Sequence, residues 1–313
     1  MEESNLVPSP QQEAAQPEFA APPPAPPAYG IFLNADGLRA GWSFLVYLAM
    51  GVAIAYLLAA GLRLWHPAAG PGRLWKGMFA EAGLFLAAAI PALVMARIEK
   101  RPFGVYGLPA RSAFGRAFWA GAIWGLVALT VLILAMRTVH VFYFGGISLH
   151  GVRVLKFAAY WALFFVLVGL FEEFLLRGYT QFSLTRGLGF WPTAVLLSAA
   201  FGTIHLGNQG ESWIGALGAA LIGFFFCLTL RRTGNLWFAV GFHASWDWGE
   251  TFLYSVPNSG TTAPGHLINS SFHGSAWLSG GTVGPEGSVL CVALIVLLWV
   301  VFDRRYREVK YEA

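Results

Sequence analysis

Charge is what this chain has least of. Only 12% of its 313 residues are Asp, Glu, Lys or Arg, against about 25% in an ordinary soluble domain. With 57% hydrophobic residues, that shortage excludes a water-soluble domain. Basic clustering is also missing. The net charge of +4 is spread over connections, with no basic stripe or nucleic-acid motif, which removes nucleic acid as a partner. Cysteine is scarce: Cys227 and Cys291 each sit in an apolar run, without CxxC or metal spacing. They read as inert buried thiols. No HExxH, no GxSxG and no Cys placed as a nucleophile occurs either, so zincin, serine and thiol hydrolase chemistries lack their signatures.

What is present is apolar and aromatic. Aromatic residues make up 16% of the chain, with 13 Trp, a content suited to interfacial belts. Residues 1–30 are rich in Pro and Ala and read as a disordered cytoplasmic tail. Residues 31–313 form the membrane-embedded domain. Eight apolar segments follow, at about 42–63, 77–97, 116–136, 156–177, 190–207, 213–230, 235–252 and 287–303, each near the length a bilayer requires. The fold class expected is an all-α integral membrane protein, a polytopic bundle of about eight transmembrane helices. In the sixth segment Gly215, Ala219 and Gly223 have small-xxx-small spacing, which admits a close neighbouring helix.

Lys and Arg set the orientation. With the N-terminus inside, 14 basic residues fall on the cytoplasmic side and 6 outside, which places both termini in the cytoplasm of a cell bounded by this membrane. The stretch 253–286 contains no Lys or Arg and is dense in Gly, Ser, Thr and Asn. A connection of that length is either disordered or a functional lid.

Chemistry concentrates in the fourth segment, at Phe171-Glu172-Glu173-Phe174-Leu175-Leu176-Arg177. An ionised group at the centre of a bilayer costs roughly 2.5–3.5 kcal/mol, so partners must offset it. Glu173 and Arg177 are i, i+4 with the acid first, the favourable order for an ion pair. Glu172 is rotated by about 100° from its neighbour and is left as a buried, tunable base. The fifth segment carries Phe201-Gly202-Thr203-Ile204-His205, and the seventh carries Phe242-His243-Ala244-Ser245-Trp246-Asp247. Asp247 lies one turn beyond His243, where a carboxylate can fix the imidazole's orientation. Ionisable residues in spans face the bundle interior and find one another. The chemistry left is water activation by a carboxylate, with histidines that either bind a metal or stabilise an oxyanion.

Taken together, Glu172-Glu173-x-x-x-Arg177, Phe201-x-x-x-His205 and His243-x-x-x-Asp247 resemble the three-motif signature of the CPBP family. These are the CAAX-processing and bacteriocin-processing membrane proteases, also called Abi or Rce1-like. The signature covers about 155–252; Arg39-Ala40-Gly41-Trp42 and Gly284-Pro285-Glu286-Gly287-Ser288 also resemble bacterial members. The resemblance implies an integral membrane endopeptidase acting on membrane-associated protein or peptide substrates. It implies Glu172 as the base, His205 and His243 at a metal or the transition state, and Glu173 with Arg177 in support. The third motif often ends in Asn, and here it ends in Asp247. A carboxylate donates to an oxyanion only when protonated, so Asp247 is expected to orient His243 or face a cation. No cofactor is required on this reading, although Glu172, His205 and His243 could supply the three ligands of a divalent metal such as zinc.

Two rivals remain open: a proton- or ion-coupled carrier, and a non-catalytic scaffold or immunity-type protein that keeps the site. A carrier should show internal repeats, and no convincing repeat relates the halves. Depth is a difficulty for every reading. Straight spans put Glu172 about 8 Å, His243 about 12 Å and His205 about 22 Å from the cytoplasmic end.

The basic-residue count predicts the topology of the chain. Single cysteines at Ser4 and Glu312, in a chain lacking Cys227 and Cys291, should resist an impermeant thiol reagent in intact cells. A cysteine at Ser259 should react with it. The reverse pattern inverts the orientation.

Overall fold

The computed structural model describes residues 30–34, 37–66, 71–208 and 210–311; of the tail expected over 1–30, all but Gly30 lies outside them. Every one of the eight apolar segments is helical. The helices in order are α1 (Ala40–Leu64), α2 (Pro71–Ile98), α3 (Arg116–Thr138), α4 (Val152–Phe174), α5 (Gln181–Leu188), α6 (Phe190–His205), α7 (Trp213–Thr233), α8 (Trp237–Trp248), the short α9 (Ala276–Ser279) and α10 (Val289–Arg305). By length and composition five helical runs can cross a membrane: Ala40–Leu64, Gly72–Ile98, Arg116–Thr138, Val152–Leu188 and Trp213–Thr233. The other three expected spans are shorter helices of 16, 12 and 17 residues (α6, α8 and α10).

Apolar side chains face outward as well as inward, as lipid contact requires. On α1 only Ser43 and Tyr47 are buried, while Leu45, Val52, Tyr56 and Leu57 are exposed. A soluble protein rarely shows so continuous an apolar surface. The interior is built around α8, which is buried from Trp237 to Phe242. Its closest neighbour is α3, and glycine decides the approach. A Cβ on Gly121 would collide with the carbonyl oxygen of Phe238, and one on Gly241 with that of Phe118.

The sixth segment's small residues make room for side chains rather than for a helix backbone: Gly215 faces the Glu211 carboxylate and Val283, and Gly223 the Arg177 guanidinium and the Phe201 ring. The close helix approach comes from the fifth segment, where Gly202 of α6 packs on the backbone of α7 at Ala216.

The fourth expected span does not stop at 177. After α4 the chain continues through a wide turn, Leu175–Thr180, kinked at Gly178 (φ −85°, ψ −118°), into α5. Glu99, just past α2, gathers this foot of the bundle: it accepts hydrogen bonds from Tyr106 (2.9 Å), Tyr179 (2.7 Å) and Arg186 (3.2 Å). Ser183 Oγ also donates to the Ala40 carbonyl at the start of α1 (3.0 Å). The chain thus descends as far as Leu188 before Gly189 (φ 83°) turns it into α6. α6 begins at Phe190, the expected boundary, and brings His205 beside the same cavity as Glu172, so the separation in depth that straight spans imply does not keep the two apart.

The stretch 253–286 is an ordered strap. Its β4 (Ser271–Phe272) pairs antiparallel with β3 (Phe142–Tyr143), Phe142 opposite Phe272. The Ser148 N–H donates to Leu267 O (2.8 Å) and the Asn269 N–H to Gly146 O (2.9 Å). A second short antiparallel pair, β1 (Leu33–Asn34) with β2 (Gly37–Leu38), precedes α1.

The α3–α8 contact predicts that Gly121→Ala and Gly241→Ala each destabilise the fold. Overpacking of this kind costs about 1–3 kcal/mol. Gly41→Ala, which meets nothing within 4 Å, is the control and should melt unchanged or slightly higher in detergent.

Candidate active site

Two adjacent carboxylates at the end of α4 point to different surroundings. Glu173 is fully buried, and its Oε1 lies 3.2 Å from Nη1 of Arg177, itself fully buried. This is the i, i+4 pair that the spacing predicts. The guanidinium rests over the Phe201 ring, 4.6 Å from its centroid. Glu173 Oε2 and Arg177 Nε and Nη2 have no hydrogen-bond partner, so the pair is held by one contact and an aromatic face.

The same Glu173 Oε1 lies 3.0 Å from Nδ1 of His243. A carboxylate paired with arginine only accepts, so Nδ1 carries a proton and Nε2 is the other, outward nitrogen. Nε2 lies 3.5 Å from Asp247 Oδ2 and 3.7 Å from Glu172 Oε2. Asp247 was expected to orient His243, and the geometry divides that work differently. Asp247, one turn up the same helix, faces Nε2, while Glu173 comes from α4 to take Nδ1. His205 follows the same rule through the backbone, with Nδ1 2.8 Å from the carbonyl oxygen of Phe201. A carbonyl oxygen has no hydrogen to give, so this ring also holds its proton on Nδ1.

Glu172, His205, His243 and Asp247 line one cavity of about 660 Å³. Glu172 has 26% of its side chain exposed and His243 12%, and both face this space. The wall on one side is aromatic, with Trp161, Phe164 and Phe165 of α4. Ser259, Thr261 and Ala263 of the strap form another part of the wall. The four residues expected to act together are thus brought together, and Glu173 and Arg177 lie just behind them.

Four acids at or beside the cavity were not identified as site residues from the sequence: Glu81, Glu211, Glu250 and Glu286. Glu81 reaches the cavity from α2, and nothing in its local spacing marks it. Glu286 sits in a single turn, Pro285–Gly287, ahead of α10. Its Oε2 accepts from the N–H and the Oγ of Ser259 (2.9 Å each), and its Oε1 accepts from Trp246 Nε1 (3.2 Å). Burial pushes the Glu286 carboxyl above the usual carboxylate range, and the neighbouring charge of Asp247 adds to this. The Gly-Pro-Glu-Gly-Ser run was the available signal. Glu250, one turn past Asp247 on α8's continuation Gly249–Tyr254, is wholly buried. Cys227 and Cys291 are both buried and free, as expected.

Residues 154–249 match the family described as type II CAAX prenyl endopeptidase Rce1-like. The matched segment contains Glu172, His205, His243 and Asp247, and it is the family that the three motifs resemble. Over this segment the chain is similar to membrane endopeptidases of the CAAX type. No curated protein and no solved structure matches the chain.

The buried pair predicts a stability effect that separates two neighbouring acids. Glu173→Gln or Arg177→Ala strands an uncompensated charge, a change that costs about 3–5 kcal/mol. Glu172→Gln, at the cavity wall, should melt within a few degrees of the parent protein in the same detergent. Equal losses for all three would refute the distinction.

Proposed function

With residues 154–249 matching a family of membrane endopeptidases, we propose that this chain hydrolyses peptide bonds of membrane-associated proteins, using water activated by Glu172. One observation carries the reading. Both histidines have their Nδ1 held by acceptors, Glu173 for His243 and the Phe201 carbonyl for His205, beside the Glu172 carboxylate in one cavity.

In this scheme a water in the cavity hydrogen-bonds to Glu172, which takes its proton as the oxygen attacks the scissile carbonyl. The carbonyl oxygen gains the displaced electron pair. His243, as an imidazolium with one proton held on Nδ1 by Glu173 and a second on Nε2 beside Asp247, donates from Nε2 to that oxyanion, and His205, when it carries a second proton on Nε2, assists from α6. The oxyanion's electron pair then re-forms the carbonyl as the C–N bond breaks, and Glu172 returns its proton to the leaving amine, so the step closes without a net proton. A positioned base of this kind contributes about 10²–10⁴-fold to a rate, and donors to an oxyanion contribute comparably. Glu173 and Arg177 act through His243 and are positioning residues. Asp247 faces the same nitrogen as Glu172 and favours its imidazolium form. We place the chain in the cytoplasmic membrane with both termini inside, on the strength of its basic residues.

The scheme requires no metal. A second reading takes the two Nε2 atoms and a Glu172 oxygen as zinc ligands by their chemistry, although among the described residues the acids and histidines close enough to share an ion are Asp247, Glu250 and Glu286 instead. Purified chain and its Glu172→Gln variant, each incubated with a membrane proteome, should separate the possibilities by their cleaved termini. New termini should form with the parent chain and fall by about 10²-fold or more with the variant. Their absence with the parent chain favours the scaffold. Stoichiometric zinc, lost in His205→Ala and needed for cleavage, replaces the metal-free scheme with the zinc one.

A further inference from the structure

Beyond the histidines, three carboxylates crowd together where the apolar interior should keep them apart. Asp247, Glu250 and Glu286 each place one oxygen within 4.8 Å of the others'. Asp247 and Glu250 are three residues apart on one helical face, and Glu286 arrives from the turn before α10. Glu250 is fully buried, and neither of its oxygens has a hydrogen-bond partner. Trp246 Nε1–H, the donor beside it, goes to Glu286 instead (3.2 Å). The strap 253–286 supplies no Lys or Arg at all.

We propose that Asp247, Glu250 and Glu286 form a site for a hard divalent cation such as calcium or manganese. The spacing permits it: two ligands of one calcium ion lie at most about 4.8 Å apart, twice a ~2.4 Å bond, and the three oxygens lie within that reach of one another. The donor set agrees as well, since carboxylate and hydroxyl oxygens select calcium, magnesium and manganese, and magnesium takes shorter bonds. Ser259 Oγ, which donates to Glu286 Oε2 (2.9 Å), keeps lone pairs free and sits at the same edge. A cation there neutralises the acids without any Lys or Arg from the strap. It also ties α8, the strap and the start of α10 through Asp247, Ser259 and Glu286. The site shares Asp247 with the cavity of the histidines but uses no nitrogen ligand, which separates it from a zinc site on Glu172, His205 and His243. It stands whether or not the chain is a peptidase.

The test uses the full chain, purified in detergent, stripped with a chelator and desalted. Calcium, manganese, magnesium and zinc are then offered singly, and bound metal and melting temperature are measured on the same samples. One equivalent of calcium or manganese should bind and raise the melting temperature by several degrees. Glu250→Gln and Glu286→Gln should each weaken that binding at least tenfold, while Glu172→Gln and His205→Ala leave it intact. Because the cluster variants can fail to fold, terbium provides a readout on the parent chain. Trp246 should sensitise terbium luminescence, calcium should compete it away, and Trp246→Phe should lose much of the signal while still binding calcium. No uptake by the folded parent chain overturns the site and leaves the acids sharing protons. Uptake indifferent to Glu250 and Glu286, or lost with Glu172 and His205, overturns it equally.

Discussion

A carboxylate and a guanidinium, both sealed from solvent, hold the centre of this molecule in one arrangement. Glu173 and Arg177 are 3.2 Å apart with no exposure on either side. Burying such ions costs several kcal/mol each, and their attraction offsets this only with good geometry and further contacts. Those contacts come from three other helices. Phe201 of α6 lies under the guanidinium, Gly223 of α7 clears space for it, and His243 of α8 sits on the shared Glu173 oxygen. A displacement of any one of these helices exposes or unpairs a charge. The pair therefore fixes the relative register of the helices that carry Glu172, His205 and His243. Stability and site geometry depend on the same atoms.

The helices that carry Glu172 and Asp247 share a second feature. Both abandon the α pattern directly after their carboxylates, at Leu175–Thr180 and at Gly249–Tyr254. Wide turns of this kind weaken the backbone ladder and recur at functional sites. Here the first one holds Arg177 and the kink at Gly178, and it redirects the chain into α5. The second carries Glu250 into the interior. In each case the loss of regular hydrogen bonding falls in the turn that carries a buried charged side chain, Arg177 in the first and Glu250 in the second.

This explains what could be read from the sequence and what could not. Pairs within one helix were legible, because i, i+4 spacing is a property of the helix alone: Glu173 with Arg177, Phe201 with His205, His243 facing Asp247. The eight apolar segments were legible from hydropathy, although three form helices too short to cross by length and composition. Partners from different helices were not. Glu173 on Nδ1 of His243 depends on how α4 meets α8, and Glu81 reaches the cavity only through the packing of α2. The fourth span was ended at 177, whereas the helical run continues to Leu188. In the fold Arg177 is neutralised in place and α5 continues below it, anchored by Glu99. By composition the strap read as either disordered or a functional lid, and backbone pairing with residues 142–148, invisible in composition, orders it.

The charge inside the cavity follows from the same arrangement. Its walls include Glu81, Glu172, Glu211, Asp247 and Glu286, with His205 and His243, and no Lys or Arg among the described lining residues. Arg177 lies close by but is turned away and committed to Glu173. At low effective dielectric, unpaired acids at these separations repel strongly, so the cavity cannot hold all of them ionised without compensation. The two imidazoles offer part of it from their Nε2 atoms, and protons or bound cations must supply the rest. A single arginine facing the cavity would neutralise Glu172 as it does Glu173, and would remove a base from contact with water. Keeping the arginine behind the wall leaves Glu172 with groups whose charge can change during a reaction, which an ion pair with arginine would not allow.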